Sequence, residues 1–256
     1  MAVNNTNARA VALELLMAVE FDDAYANLLL PKLLYASSLD SRDTGFCQEL
    51  AFGTLRWQLF YDRIIEECAG RYSDEIDLGA LVILRLGAHQ LLGMRVPAHA
   101  ALSETVDLAK RRLSRGAIGF INGVLRRVSE RGREEWLGIV LDGLENPHER
   151  LAVEFSHPIW VVRALEQALK IDGRESELKD LLWADNIAPL VNLVALPGFA
   201  DERDFEDEAV YVDLAAALIT TPNIPRVLEV LDQLPETEVL SETKQIMAHN
   251  LRARAH

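Results

Sequence analysis

Cysteine is scarce in this chain: Cys47 and Cys68 are the only two among 256 residues, too few to staple a small secreted scaffold. No apolar stretch reaches the ~18 residues that a membrane helix needs, so no membrane partner is expected. The opening MAVNNTNARAVALELL has no basic segment ahead of a continuous apolar run and does not read as a secretory signal. A cytoplasmic protein is the expectation. Positive charge is short as well. The 26 Lys and Arg stand against 40 Asp and Glu, a net charge of −14, which argues against indiscriminate nucleic-acid binding by the whole surface. His89, His99, His148, His157, His249 and His256 form no metal-ligand spacing with Cys, Asp or Glu, so no metal is expected. Ser103, Ser114, Ser129 and Ser156 lack the glycine-flanked elbow of a hydrolase nucleophile.

What is present is apolar content and a sharply uneven charge. Half of the residues are apolar, enough for a sizeable core and against global disorder. Residues 1–150 carry 17 basic and 21 acidic side chains, whereas 151–256 carry 9 and 19. Within 109–133 the balance inverts. Lys110, Arg111, Arg112, Arg115, Arg126, Arg127, Arg131 and Arg133 face a single acid, Glu130. Such a patch can neutralise several phosphates even on an acidic protein.

The stretch Leu81–Val128 organises the chain and predicts three consecutive helices. Leu81, Leu84, Ala88 and Leu91 recur at helical spacing. So do Leu102, Thr105, Ala109 and Leu113, and then Ile118, Ile121, Leu125 and Val128. Pro97 suits a first turn, and Gly116 reads as the end of one helix before the next. Gly119, Asn122, Arg126 and Arg133 are expected on one polar face of the last helix. Upstream, one helix is expected over Asn7–Val19, a short one over Tyr25–Leu34 interrupted or begun near Pro31, and a single long one from Asp40 or Ser41 to about Ala69. In that long helix Phe46, Leu50, Gly53, Trp57, Phe60 and Ile64 share a side. Base stacking through Trp57, Phe60 or Tyr61 is conceivable, but this spacing favours core packing for Trp57 and Phe60. His89 and His99 read as core residues, and His157 before Pro158 as a turn residue.

The expected division is therefore 1–133 as an all-α bundle, 134–198 as a helical connector, and 199–256 as an acidic linker and unassigned tail. Connector helices are expected over Glu134–Leu144, Pro147–Phe155, Ser156–Leu169 and Glu175–Ala184. Pro189–Leu196 reads as a β-strand, the start of a short α/β remnant. DERDFEDE at 201–208 holds six acids and one arginine and reads as an exposed linker. Helices are expected at Pro225–Leu234 and from Ser241 onward.

Three segments carry a family resemblance: RDTGFCQELAFGTLRW (42–57), LRLGAHQLLGMRVPAHAALSETVDLAK (84–110) and GFINGVLRRV (119–128). They resemble the NusB-type RNA-binding domain, and more closely its version at the amino terminus of RsmB/Sun-type ribosomal RNA cytosine-5 methyltransferases. LA…SHPIWVVRAL (151–165) and LLWADNIAPLVNLVALPG (181–198) are similar to the connector and first strand of that family's catalytic part. The resemblance implies an all-α domain that places small-subunit ribosomal RNA. Lys110, Arg111, Arg112, Arg126 and Arg127 would hold the phosphate backbone, with Arg9 and Asn122 adding local contacts. Arg9 corresponds to the family's basic amino-terminal region and is the one basic residue there.

The family's core binds S-adenosylmethionine through a glycine-rich strand-to-helix turn, because the cofactor must approach the backbone closely. No such turn is found here. Gly116, Gly119 and Gly123 fall inside a helix and read as helix packing or close RNA approach. Cytosine-5 methylation also needs a thiolate. No cysteine follows Cys68, and Cys47 and Cys68 read as buried, inert thiols. The expectation is an RNA-binding chain without cofactor or intrinsic methyltransferase activity. Two alternatives stand beside it. One is the RNA-placing part of a methyltransferase whose catalytic half is lost or encoded separately. The other is an antitermination or protein-interaction module with a ribosomal protein as partner.

Overall fold

Residues 7–187 are described by the computed structural model, and they contain helices and no strand. In order these are α1 (Ala8–Asp22), α2 (Ala26–Ala36), α3 (Ser41–Arg56), α4 (Gln58–Ala69), α5 (Leu78–Leu92), α6 (Ala98–Lys110), α7 (Arg115–Val128), α8 (Arg133–Leu141), α9 (Pro147–Glu154), α10 (Ile159–Ile171) and α11 (Leu178–Ala184). Single 3-10 turns sit at Ser73–Glu75 and Glu175–Glu177. Several starts are capped as their sequence dictates. Asn7, Asp40, Asp77, Ser114 and Asn146 each accept a backbone N–H of the first turn. No helix among the described residues is long and apolar enough to cross a membrane.

α5 is the axis of the bundle. Its sequence, LGALVILRLGAHQLL, is apolar on every side, and all residues from Gly79 to Gln90 are buried. A helix of that kind must be enclosed; α1, α3, α4, α6 and α7 all pack on it. α7 comes so close that a Cβ at Gly87 would meet the Leu125 methyls at 2.8 Å. The three long polar side chains of α5 are tied to neighbouring helices. Arg85 forms a two-pronged pair with Asp62 of α4, at 2.6 and 2.9 Å, and reaches Glu20 of α1 at 2.6 Å. Burial raises the Asp62 carboxyl above its ordinary range, and Arg85 opposes that shift. Gln90 donates to the Thr105 hydroxyl of α6 at 3.0 Å. His89 Nδ1 meets the Tyr61 hydroxyl at 2.8 Å, and its ring lies against Gly53, where a Cβ would overlap it.

The long helix expected over 41–69 is broken. Trp57 leaves helical geometry, separating α3 from α4. The freed amides at the start of α4 are capped from far along the chain: Ser156 Oγ accepts from Leu59 N at 3.1 Å and Phe60 N at 3.3 Å. Gly116 does not end a helix either. α6 stops at Lys110, and Gly116 is the second residue of α7, which Ser114 caps. Arg133 leaves the face assigned to it, because α7 ends at Val128. It starts α8 and lies over the Trp57 and Phe60 rings, at 3.8 and 4.6 Å. His99 is exposed near the start of α6 rather than in the core, whereas His89 is buried.

α8 is pinned to α7 by Trp136, whose indole N–H donates to Val128 O at 2.9 Å. α9, α10 and α11 close round a second, smaller core of Ala152, Phe155, Val162, Leu178 and Leu182. α10 is entered through His157-Pro158 as expected, with His157 Nδ1 2.6 Å from Phe155 O. The strand at 189–196, the linker at 201–208 and the helices expected at 225–234 and beyond 241 lie outside the described residues.

Candidate nucleic-acid interface

The α6–α7 corner presents cations because of how its chain turns. α6 closes with Arg111 N and Arg112 N bonded back to Leu108 O and Ala109 O. Leu113 then packs inward toward Gly79, and Ser114 starts α7. With Leu113 as the anchor, Lys110, Arg111, Arg112 and Arg115 are all left exposed. Lys110 pairs with Asp107 at 2.7 Å in an open surface bridge, a contact worth little in water. Among the described residues, the side chains of Arg111, Arg112 and Arg115 have no hydrogen bond or ion pair. Their charge is uncompensated.

α7 extends this corner into a strip. Ile121, Val124, Leu125 and Val128 face the core. Gly116, Gly119, Asn122, Gly123 and Arg126 lie exposed on the other side. A Cβ added at Gly116, Gly119 or Gly123 would meet nothing within 4 Å. Packing therefore asks for glycine at Gly53 and Gly87 but at none of these three. A helical glycine costs about 1 kcal/mol relative to alanine. Three of them flatten one solvent-facing stripe between Arg115 and Arg126, about 16 Å apart along the axis at 1.5 Å per residue. The Arg126 side chain has no partner among the described residues. The strip can admit a polyanion close to the backbone, with guanidinium groups at both ends.

Two of the sequence-predicted residues are placed differently from the rest. Arg127, though exposed, donates Nη1 to Cys68 O at 2.6 Å, tying α7 to the last turn of α4. Arg9 is half-buried. Its Nε donates to Gln90 at 2.6 Å and its guanidinium covers the Phe46 ring at 4.8 Å. Gln90 and Gly79 are at opposite ends of α5, so Arg9 and the α6–α7 corner are not neighbours. Lys110, Arg111, Arg112, Asn122 and Arg126 share the strip. Arg115 belongs with them and was visible in the charge count alone. Arg71 was not visible at all. It lies over the Phe120 ring of α7 at 4.9 Å, and a lone arginine in a turn carries no sequence signal.

Both thiols lie in the interior. Burial pushes Cys47 up to about 12 and Cys68 up to about 11, so neither supplies a thiolate near neutral pH. Among the described residues, no three His, Cys, Asp or Glu side chains converge as a metal site.

The NusB family matches residues 6–130, which span α1 to α7. Residues 6–130 form a NusB family domain. A Mycobacterium tuberculosis protein named "Putative methyltransferase" is 41% identical over 192 residues, covering 75% of this chain and 42% of its own length. The Bacillus subtilis "Probable ribosomal RNA small subunit methyltransferase B" is 32% identical over 174 residues, 68% of this chain and 38% of the relative. The Pseudomonas putida ribosomal RNA small subunit methyltransferase B is 36% identical over 160 residues, 62% and 34%. The chain thus spans about two fifths or less of these relatives. With all three relatives the matched length exceeds the NusB domain, so the similarity extends into the connector helices.

Proposed function

We propose that this chain binds structured small-subunit ribosomal RNA through the α6–α7 corner and the open face of α7, and that its role is to place RNA rather than to transfer a methyl group. One observation carries this reading. Unpaired Arg111, Arg112, Arg115 and Arg126 flank three helical glycines for which packing gives no reason. The names of the relatives supply the RNA class. The two buried thiols argue against cytosine-5 chemistry by this chain's own cysteines. The phosphate contacts would supply affinity, and RNA shape would supply preference.

The test is fluorescence anisotropy of the chain with a small-subunit ribosomal RNA fragment over a salt series, repeated on Arg112→Ala/Arg126→Ala. Log affinity should fall linearly with log salt, and the variant should bind more weakly with a slope shallower by roughly two. An unchanged slope would sink the strip as the phosphate site.

A second reading has support on the opposite flank of the sequence. Tyr25, Leu28 and Tyr35 recur along α2 and are exposed, Tyr35 to 85%, a stripe suited to a protein partner such as a ribosomal protein. Capture of that partner by the chain after nuclease treatment, lost in Leu28→Asp, would favour it.

A further inference from the structure

A cleft of about 500 Å³ opens where the C-terminal half of α4 and the turn after it meet the end of α8. Its apolar wall is Ile139, Val140 and Leu144, and Tyr72, a residue 68% exposed, lines it as well. The lip is held in place by its backbone. Tyr72 N donates to Glu75 at 3.0 Å, and Ser73 N to Glu66 at 3.0 Å. Five charged groups line the space: Arg63, Arg71, Glu66, Glu67 and Asp142. Arg63 and Glu66 neutralise each other at 3.3 Å. That leaves Arg71, laid over Phe120 of α7, and two carboxylates, Glu67 and Asp142, which among the described residues accept no hydrogen bond and pair with no cation. The cleft therefore adjoins the α7 helix through Arg71 but has the opposite character: polar, aromatic-lipped and acceptor-rich, with one apolar wall.

We propose that this cleft is a subsite for one unpaired guanine of the bound RNA; the proposal rests on the RNA-binding reading and adds a base-reading element to it. The lining is net negative and repels phosphate, whereas a neutral base can lay one face on the apolar wall and stack on Tyr72. Ionised carboxylates accept hydrogen bonds and donate none. Guanine alone among the four bases offers two adjacent donors, N1–H and N2–H, on its pairing edge. Adenine and cytosine set an acceptor nitrogen beside their amine, and uracil flanks its single N–H with two carbonyls. Arg71, at the boundary between cleft and α7, is placed to take the adjoining phosphate.

Three labelled single-stranded RNA octamers test this by anisotropy with the full chain: all adenine, one with a central guanine, and one with central inosine, which lacks the N2 amine. The guanine octamer should bind roughly tenfold tighter than the adenine octamer, with inosine between them. The double variant Glu67→Gln/Asp142→Asn should erase that preference without weakening binding of the adenine octamer, and Tyr72→Ala should weaken the guanine and adenine octamers alike by removing the stacking face. The adenine octamer also reports the fold of the double variant, since both its side chains are exposed. Equal binding of the three octamers, or a preference that survives in the double variant, overturns the subsite and leaves the RNA reading intact. No binding to any octamer or to the ribosomal fragment fails the RNA reading and the subsite together. An arginine-rich peptide that binds the wild type and is lost in the carboxylate variant, without any guanine preference, overturns the subsite in favour of protein docking.

Discussion

The Ser156 hydroxyl accepts the Leu59 amide at 3.1 Å across 97 residues of sequence. A residue at the junction of α9 and α10 thereby caps a helix inside the NusB domain. Ser156 itself has φ +56°, a conformation uncommon for a residue with a side chain. The connector is fastened to the bundle by this group and by the Trp136 indole on Val128 O, as well as by apolar packing.

Replacing it separates cap from backbone. Ser156→Ala should lose about 1 kcal/mol in urea unfolding, because the cap goes and the left-handed backbone remains. Ser156→Gly should lose less, a few tenths of a kcal/mol, since glycine accepts that conformation without penalty. Equal losses in the two variants would show that the φ angle contributes nothing.

The glycines of the fold should divide by sign. Gly53→Ala drives a methyl into the His89 ring and should destabilise by about 1–3 kcal/mol. Gly119→Ala and Gly123→Ala meet open space and should each stabilise by up to about 1 kcal/mol. The same two changes should weaken ribosomal RNA binding if the backbone of α7 is approached closely. Thermal melts and anisotropy on one set of samples check both halves.

The thiols give a test of chemistry. With Cys47 pushed up to about 12 and Cys68 to about 11, iodoacetamide at pH 7.5 should leave both unmodified in the native chain and alkylate both in urea. Mass spectrometry reads the result. Rapid native labelling of either cysteine would reopen a nucleophilic role.

A pH effect follows from Glu49. The His89 ring, 3.7 Å from its carboxylate, holds this group below its ordinary range, with burial opposing and Arg56 adding to the lowering. A carboxyl lowered in the folded state contributes stability that is present above its unfolded value, near 4.5, and disappears as pH falls through the folded value. The difference in stability between wild type and Glu49→Gln should therefore shrink as pH falls below about 5. Because Glu49 is half exposed, it should stay below about 1 kcal/mol. A difference that grows on acidification would reverse the assignment.

The three helices around α5 were legible because their apolar residues recur at unbroken local spacing. The break at Trp57 was not, because the group that stabilises the second start, Ser156, is remote in sequence. Gly116 misled for a related reason: glycine signals a stop, but the Ser114 cap two residues earlier decides where α7 begins. In the site, charge density pointed correctly to the strip from Lys110 to Arg126. It could not tell Arg126, free at the surface, from Arg127, bonded to Cys68 O. Nor could it show Arg9 turned onto Gln90 and Phe46. Those distinctions are made by side-chain partners that only the packed helices bring together.

The enclosure of α5 also has a consequence during synthesis. Its twelve consecutive buried residues leave the ribosome before α6 and α7 exist to cover them. Thirty-six residues separate the end of α5 at Leu92 from the end of α7 at Val128, roughly 2–7 s of translation at 5–20 residues per second. For that interval the most hydrophobic helix of the nascent chain is sheltered only by α1, α3 and α4. A pause that holds α6 and α7 inside the ribosome once α5 has emerged would lengthen its exposure to chaperones and to aggregation, whereas a pause after α7 has emerged would not.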